Sequence, residues 1–231
     1  MKTLKQKPKN SDMPVTEGGR PAGGRVYRAA KRAFDAAASA LGLLVLSPVL
    51  AATALAVRAT SPGPVLFRQR RVARFEGEEP TYFEILKFRT MRTDTPDLPS
   101  HMIDAGEWMT PIGAFLRRTS LDELPQLWNI LKGDMSAVGP RPALWSQEDL
   151  VAERARWGAN AVRPGLTGLA QISGRDELPV AEKARLDGAY AQNRCLSLDA
   201  RCFLGTFSKV ASGEGVVEGA SGEKDTGKAD G

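Results

Sequence analysis

Ala36-Ala37-Ala38-Ser39-Ala40-Leu41-Gly42-Leu43-Leu44-Val45-Leu46-Ser47-Pro48-Val49-Leu50-Ala51-Ala52-Thr53-Ala54-Leu55-Ala56-Val57 runs for 22 residues without a charge. Lys31, Arg32 and Asp35 stand before it and Arg58 after it, and its length is that of a bilayer-crossing helix. A buried helix of a water-soluble core is the bland alternative, but such helices usually keep a polar face and seldom run this far uncharged. Basic residues flank both ends: Arg20, Arg25, Arg28, Lys31 and Arg32 on one side, Arg58, Arg68, Arg70, Arg71 and Arg74 on the other. Lys and Arg favour the cytoplasmic face, so a segment basic at both flanks is expected to return to the side it entered from. Pro48 supplies the bend, because it lacks an amide donor and crowds the carbonyl of Leu44, and Ser47 offers a hydroxyl to a freed backbone group. Each arm of about 11 residues reaches roughly 16 Å, half a bilayer. The expectation is a re-entrant helix hairpin over 26–58, with a single tilted, proline-kinked span as its rival.

Around this stretch the chain is 231 residues long, 42% apolar and 26% charged, with 32 basic against 27 acidic side chains. That composition excludes a wholly disordered polymer and a disulfide-stapled miniprotein, and it supplies one core. Cys195 and Cys202 are too few and too late to frame a secreted scaffold, so a reducing, cytosol-facing setting fits. His101 is the single histidine, which leaves chemistry to carboxylates and arginines. The net charge of +5 gathers around the apolar segment without any nucleic-acid recognition motif, so membrane-surface attraction explains it and nucleic acid is not expected as a partner. Residues 1–25, basic and rich in proline and glycine, read as a disordered arm, and 211–231, small and polar, as a flexible tail.

Residues 59–210 read as a cytosolic domain of the α/β class, a helix-rich α+β unit. Val65-Leu66-Phe67 and Thr81 to Met91 predict strands, 94–109 a surface loop, and Thr110 to Arg118 a short helix with Ile112, Phe115 and Leu116 on one side. From Thr119 the chain spells Thr-Ser-Leu-Asp-Glu-Leu-Pro-Gln-Leu-Trp-Asn-Ile-Leu-Lys-Gly, ending at Gly133. Leu124, Leu127, Trp128 and Leu131 form an apolar helical stripe that Lys132-Gly133 ends. Either Ser120 with Glu123 forms a capping box or Asp122 caps, so Asp122 and Glu123 lie at a helix start. The same Asp-Glu-Leu-Pro recurs at 176–179, where a cap explains it; only the first copy follows Arg117-Arg118 and leads to Arg141, held between Pro140 and Pro142. A helix start, arginines and two carboxylates suit a phosphate ester with a divalent cation, and no Walker loop or dinucleotide fingerprint is present.

At these residues the sequence resembles the bacterial sugar transferases, the monotopic polyprenyl-phosphate phosphoglycosyl transferases. The likeness runs from about Lys31 to Gly215. It is carried by Lys31-Arg32 with Asp35, Ser47-Pro48, Ser61-Pro62-Gly63-Pro64, Lys87-Phe88-Arg89-Thr90-Met91, Leu121 through Pro142, and Val162-Arg163-Pro164-Gly165-Leu166-Thr167-Gly168-Leu169-Ala170-Gln171-Ile172-Ser173-Gly174-Arg175. The resemblance implies transfer of a sugar 1-phosphate from a UDP-sugar to undecaprenyl phosphate, with release of UMP, as the first membrane step of a surface glycan. It makes Asp122 and Glu123 the catalytic dyad: Asp122 attacks the β-phosphorus to form a phosphoaspartyl sugar, and Glu123 helps hold Mg²⁺.

Arg117, Arg141, Gln171, Arg175, Lys87 and Arg89 are expected to bind substrate, while Lys31, Arg32 and Asp35 are expected to anchor the hairpin at lipid headgroups. A carboxylate is already ionised at neutral pH, so no histidine base is required. Neighbouring residues of a regular helix do not face one another, so the pair can serve one centre only where the backbone departs from helical geometry. The implied location is the bacterial inner membrane, monotopic, with the catalytic domain and both termini cytoplasmic, in the manner of the small catalytic-core members. The sequence departs from the family at Ala73, in the acidic stretch Arg74 to Pro80, and at Gly188-Ala189-Tyr190, which bears on the choice of sugar. A silent membrane scaffold that recruits glycosyltransferases is the competing class, disfavoured by the intact pair and Arg141.

Overall fold

A computed structural model describes residues 10, 12–77, 79–95, 108–174 and 178–212. The apolar stretch forms two helices, α1 (Arg25–Val45) and α2 (Ser47–Thr60), whose axes bend by 63°. Among the described residues no single helix is long and apolar enough to cross a membrane, whereas this bent pair is so when taken together. The break falls at Leu46, upstream of the proline. Pro48 thereby sits in the first turn of α2, where its missing amide would have no helical acceptor anyway, and Ser47 Oγ donates to the Leu44 carbonyl at 2.7 Å.

β1 (Leu66–Glu76) and β2 (Glu79–Phe88) form an antiparallel hairpin registered from Leu66 opposite Phe88 to Glu76 opposite Glu79, with a bulge between Val72 and Phe75. The first strand runs well beyond the three apolar residues that announce it. Its arginines are accommodated across the hairpin: Arg70 stacks on Tyr82 at 4.0 Å and Arg68 pairs with Glu84 at 3.4 Å. Then follow α3 (Gly113–Thr119), a 3-10 turn (Leu121–Glu123), α4 (Gln126–Lys132), β3 (Ser136–Val138), α5 (Glu148–Arg156), β4 (Gly165–Thr167), α6 (Leu169–Ser173), α7 (Val180–Asn193) and α8 (Leu196–Ser212). β3 and β4 pair in parallel, Ser136 with Gly165 and Val138 with Thr167. The fold is thus mixed helix and sheet with helix predominant. Most of the expected loop, 96–107, lies outside the described residues.

Val57 of α2, Phe88 and Leu116 share one cluster, so α2 is rooted against β2 and α3. Phe83, Ile85, Ile130 and Met135 join the hairpin to α4, and Leu169, Leu186, Tyr190 and Cys202 pack around α7. In α4 the buried positions are Gln126, Asn129 and Ile130, while Trp128 of the apolar stripe is 53% exposed. The reason is polar: Asn129 Oδ1 accepts from the Leu86 amide at 3.0 Å, and Asn129 Nδ2 donates to the Glu84 carbonyl at 2.7 Å. One side chain so replaces a strand partner along β2.

Two expectations are corrected here. Lys31, Arg32 and Asp35, expected at the headgroups, turn inward and make contacts within the protein. Arg32 donates to the Ile130 and Leu131 carbonyls, both at 2.6 Å, closing the C-terminus of α4. Asp35 is buried and accepts from Ser136 Oγ at 2.6 Å, and Lys31 pairs with Asp199 at 3.2 Å. The polar face of α1 is therefore its docking face, and its outward face is apolar. The basic arm is the second correction, since residues 12–24 follow a defined course over α7. Met13 and Val15 pack on the α7 cluster, the Thr16 amide donates to Gln192 Oε1 at 3.0 Å, Asn193 Nδ2 donates to the Pro14 carbonyl at 2.7 Å, and the Ala22 amide donates to the Ala191 carbonyl at 2.9 Å. Its partners come from the far end of the chain, which local composition does not register. At the other end α8 continues to Ser212; the tail from 213 onward lies outside the described residues.

Candidate functional site

α3 ends at Ser120, whose φ of 56° is left-handed, and the chain turns directly into the 3-10 segment that carries the carboxylate pair. Neither expected cap forms: no side-chain hydrogen bond closes the start of the 3-10 turn or of α4. The tighter winding is the departure from α-helical geometry that two adjacent carboxylates require. Glu123 Oε1 accepts from Lys87 Nζ and from Arg141 Nη2, each at 2.8 Å. Asp122 is 6% exposed and, among the described residues, accepts no hydrogen bond. Arg117, at the end of α3, donates through Nε to Thr90 Oγ1 at 3.0 Å and acts electrostatically on Asp122.

The two carboxyls are driven apart. Burial pushes Asp122 up to about 6, assisted by the neighbouring Glu123 charge and opposed by Lys87, Arg117 and Arg141. Burial also pushes Glu123 upward, but Arg141 and Lys87, in direct contact, outweigh it and hold that carboxyl well below the usual range. At neutral pH both are ionised. Glu123 has its charge answered by hydrogen bonds, whereas the Asp122 oxygens accept none among the described residues.

Arg141 is positioned by close backbone packing. Added Cβ atoms at Gly139, Gly165 and Gly168 would collide with backbone of the facing segment, so the glycines let β3 and β4 approach beside Pro140-Arg141-Pro142. Behind it, Arg154 of α5 donates through Nη2 to the Arg141 carbonyl at 2.9 Å and through Nε and Nη2 to Asp187 Oδ2 at 2.8 and 2.6 Å. This support escaped sequence reading, because nothing local to Arg154 or Asp187 marks them.

Of the residues expected at the site, Asp122, Glu123, Lys87, Arg117 and Arg141 gather in one cluster. Arg89 does not take the expected substrate-binding place: it is buried and its guanidinium donates to the Pro62 carbonyl at 2.8 Å and the Ser61 carbonyl at 2.7 Å, clamping the turn after α2. Gln171 is buried against Gly168, with neither amide atom hydrogen-bonded among the described residues. Arg175 and the second Asp-Glu pair lie outside the described residues. No cluster of three or more acidic, histidine or cysteine side chains gathers to hold a metal among the described residues. Glu123 Oε2, which accepts nothing there, and the free Asp122 carboxylate fit Mg²⁺ only in its usual manner, with one or two carboxylates and the remaining oxygens from a substrate diphosphate.

A buried Asp122 beside a partly buried Glu123, set among Lys87, Arg117 and Arg141, suits the handling of phosphoryl groups, the chemistry of a phosphotransferase. Residues 26–213 match the bacterial sugar transferase family, and the chain belongs to that family. It is 42% identical over 200 residues to the exopolysaccharide production protein PSS of Rhizobium leguminosarum bv. phaseoli, covering 80% of this chain and 97% of that protein. The undecaprenyl-phosphate glucose phosphotransferase of Komagataeibacter xylinus is 39% identical over 199 residues, 78% of this chain and 35% of that one. The UDP-glucose:undecaprenyl-phosphate glucose-1-phosphate transferase of Caulobacter vibrioides is 46% identical over 151 residues, 62% of this chain and 54% of that one.

Proposed function

We propose that the protein transfers a sugar 1-phosphate from a UDP-sugar to undecaprenyl phosphate, releasing UMP, as an opening step of surface-polysaccharide synthesis. The observation that carries this reading is the division of labour between Asp122, buried and accepting no hydrogen bond among the described residues, and Glu123, clamped by Lys87 and Arg141. An Asp122 oxygen attacks the β-phosphorus, the bond from that phosphorus to the bridging oxygen breaks, and UMP departs with the bridging oxygen. An oxygen of undecaprenyl phosphate then attacks the same phosphorus, and the Asp122 O–P bond breaks to restore the carboxylate. Arg117, Arg141 and Lys87 stabilise the charge that develops on the phosphoryl oxygens. Glu123, with the donor diphosphate, would hold Mg²⁺, which when bound would further neutralise that charge.

The bent α1–α2 pair is read as a re-entrant hairpin in the cytoplasmic leaflet of the inner membrane, with the catalytic unit on the cytoplasmic side. Its exposed Phe34, Leu41, Leu44 and Leu55 support this placement, since water is a poor neighbour for so much apolar surface. UDP-glucose is the first donor to try, on the name of the Caulobacter relative. The test is intact-protein mass after incubation with donor and Mg²⁺ alone: a gain of one hexose phosphate on the peptide holding Asp122 is expected. Asp122→Asn is expected to abolish UMP release while Asp176→Asn retains it. Equal loss in both variants, or no covalent adduct, overturns the mechanism.

A further inference from the structure

A second cationic site lies apart from the dyad. A cavity of about 370 Å³ opens between the first turns of α1 and the β3–β4 unit, lined by Arg28, Lys31, Arg32, Arg74, Arg163 and Arg194. These six cations come from α1, β1, the segment preceding β4 and the end of α7, and none of them belongs to the Asp122 cluster. The carboxylate facing them is Asp35, already engaged by Ser136 Oγ and the Ala137 amide at 2.6 and 3.3 Å. Asp199 behind it takes hydrogen bonds from Tyr27 and Tyr190, at 2.8 and 2.7 Å, besides the Lys31 pair. Lys31 is spent on Asp35 and Asp199 and Arg32 on the α4 carbonyls, whereas Arg28, Arg163 and Arg194 face the cavity with no ion pair among the described residues.

Arg163 is the sharpest case. It is half-buried and, among the described residues, its guanidinium makes no hydrogen bond or ion pair. Burial and the facing Arg74 and Arg32 charges push its pKa down. Holding like charges in a desolvated cleft is costly unless a counter-ion enters. Guanidinium groups with unused donors match phosphoryl oxygens in geometry as well as charge.

We propose that this pocket binds a phosphorylated anion, a diphosphate or a phosphodiester headgroup, which ties the base of α1 to the catalytic unit. The volume admits more than one phosphate, and the opening flanks the end of α1 that precedes its apolar run, so a soluble ligand and a lipid share the required chemistry. This inference does not depend on the reaction assigned to Asp122.

The test uses the full chain carrying Arg141→Gln, which weakens anion binding at the dyad, in neutral detergent or in phosphatidylcholine nanodiscs. Melting temperature is followed against inorganic pyrophosphate in one arm and against an increasing phosphatidylglycerol fraction in the other. Adding Arg163→Gln is expected to raise the half-effect concentration roughly tenfold, Arg28→Gln at the exposed rim to raise it in the same direction, and Arg163→Lys to restore part of the response. Arg68→Gln, which removes an exposed cation outside the pocket, is expected to leave it unchanged. A response to pyrophosphate identifies a soluble ligand, and one confined to phosphatidylglycerol a lipid headgroup. If neither titrant separates the Arg163 variant from its parent, or Arg68→Gln weakens binding equally, the pocket is not an anion site.

Discussion

Two buried carboxylates, Asp122 and Asp187, both feel nearby arginines, and they differ in whether those arginines bond to them. Burial raises both of them. Asp187, 1% exposed, has Arg154 on one oxygen through two hydrogen bonds, so its charge is answered within the protein. Asp122 has cations around it but no donor on it, because Glu123 has taken the hydrogen bonds of Lys87 and Arg141. Asp187, with Arg154 on Oδ2 and its Oδ1 buried without a hydrogen bond among the described residues, serves as a strut, while Asp122 is surrounded by cations that bond to its neighbour. The same desolvation acts on both, and under the proposed mechanism it serves structure at Asp187 and reactivity at Asp122.

Replacing each with asparagine separates the roles most sharply. Asp122→Asn is expected to lower UMP release roughly 10⁴-fold, as loss of a nucleophile does. The resting protein, however, should become more stable. With a folded pKa of about 6 against an unfolded value near 3.8, the wild-type carboxyl is tolerated in full below pH 4 and becomes a burden as pH rises through 6. Denaturant titration should therefore show Asp122→Asn ahead by up to about 3 kcal/mol at pH 8 and level with wild type near pH 4. Asp187→Asn should do the reverse, costing about 3 kcal/mol because Arg154 is left buried without its partner. Its surviving folded fraction should show a raised KM, since Arg154 also holds the Arg141 backbone.

A smaller effect sharpens the electrostatics. Lys87→Met removes the largest influence that keeps Asp122 ionised, so the acid limb of kcat/KM, expected near pH 6 in the wild type, should move toward neutrality. The variant should lose about tenfold more activity at pH 6.5 than at pH 8.5; a parallel loss at both would mean that Lys87 does not act through Asp122. Smallest is Ser120→Gly. A left-handed φ of 56° is costly for serine, and glycine there should stabilise the chain by about 1 kcal/mol or less in a denaturant melt.

Much of the site was legible because its parts are close in sequence or carried by distinctive runs. The Asp122-Glu123 pair, the Arg117 before it and Arg141 between prolines all reach one cluster. Arg89 misled because its charge and its neighbourhood to Lys87 look alike on paper, while the chain beyond β2 turns it to the carbonyls of Ser61 and Pro62. Lys31, Arg32 and Asp35 misled for a related reason. A charged cluster beside an apolar run suggests a headgroup belt, but here the charges are the glue to α4, β3 and α8.

The sequence by itself determined what depends on neighbours along the chain: an apolar run long enough to enter a bilayer, its interruption near Ser47-Pro48, and an acidic pair where helical winding begins. Tertiary structure alone decided which charges are spent and which remain available, since that depends on partners separated along the chain by 13 residues, as for Arg154 and Arg141, up to 179, as for Asn193 and Pro14. Ser136 reaching Asp35, Asn193 reaching Pro14 and Arg154 bracing Arg141 are contacts that burial and hydrogen-bond geometry select. Local pattern encodes periodicity and backbone preference; the electrostatic fate of a side chain is set only once distant segments have excluded water around it.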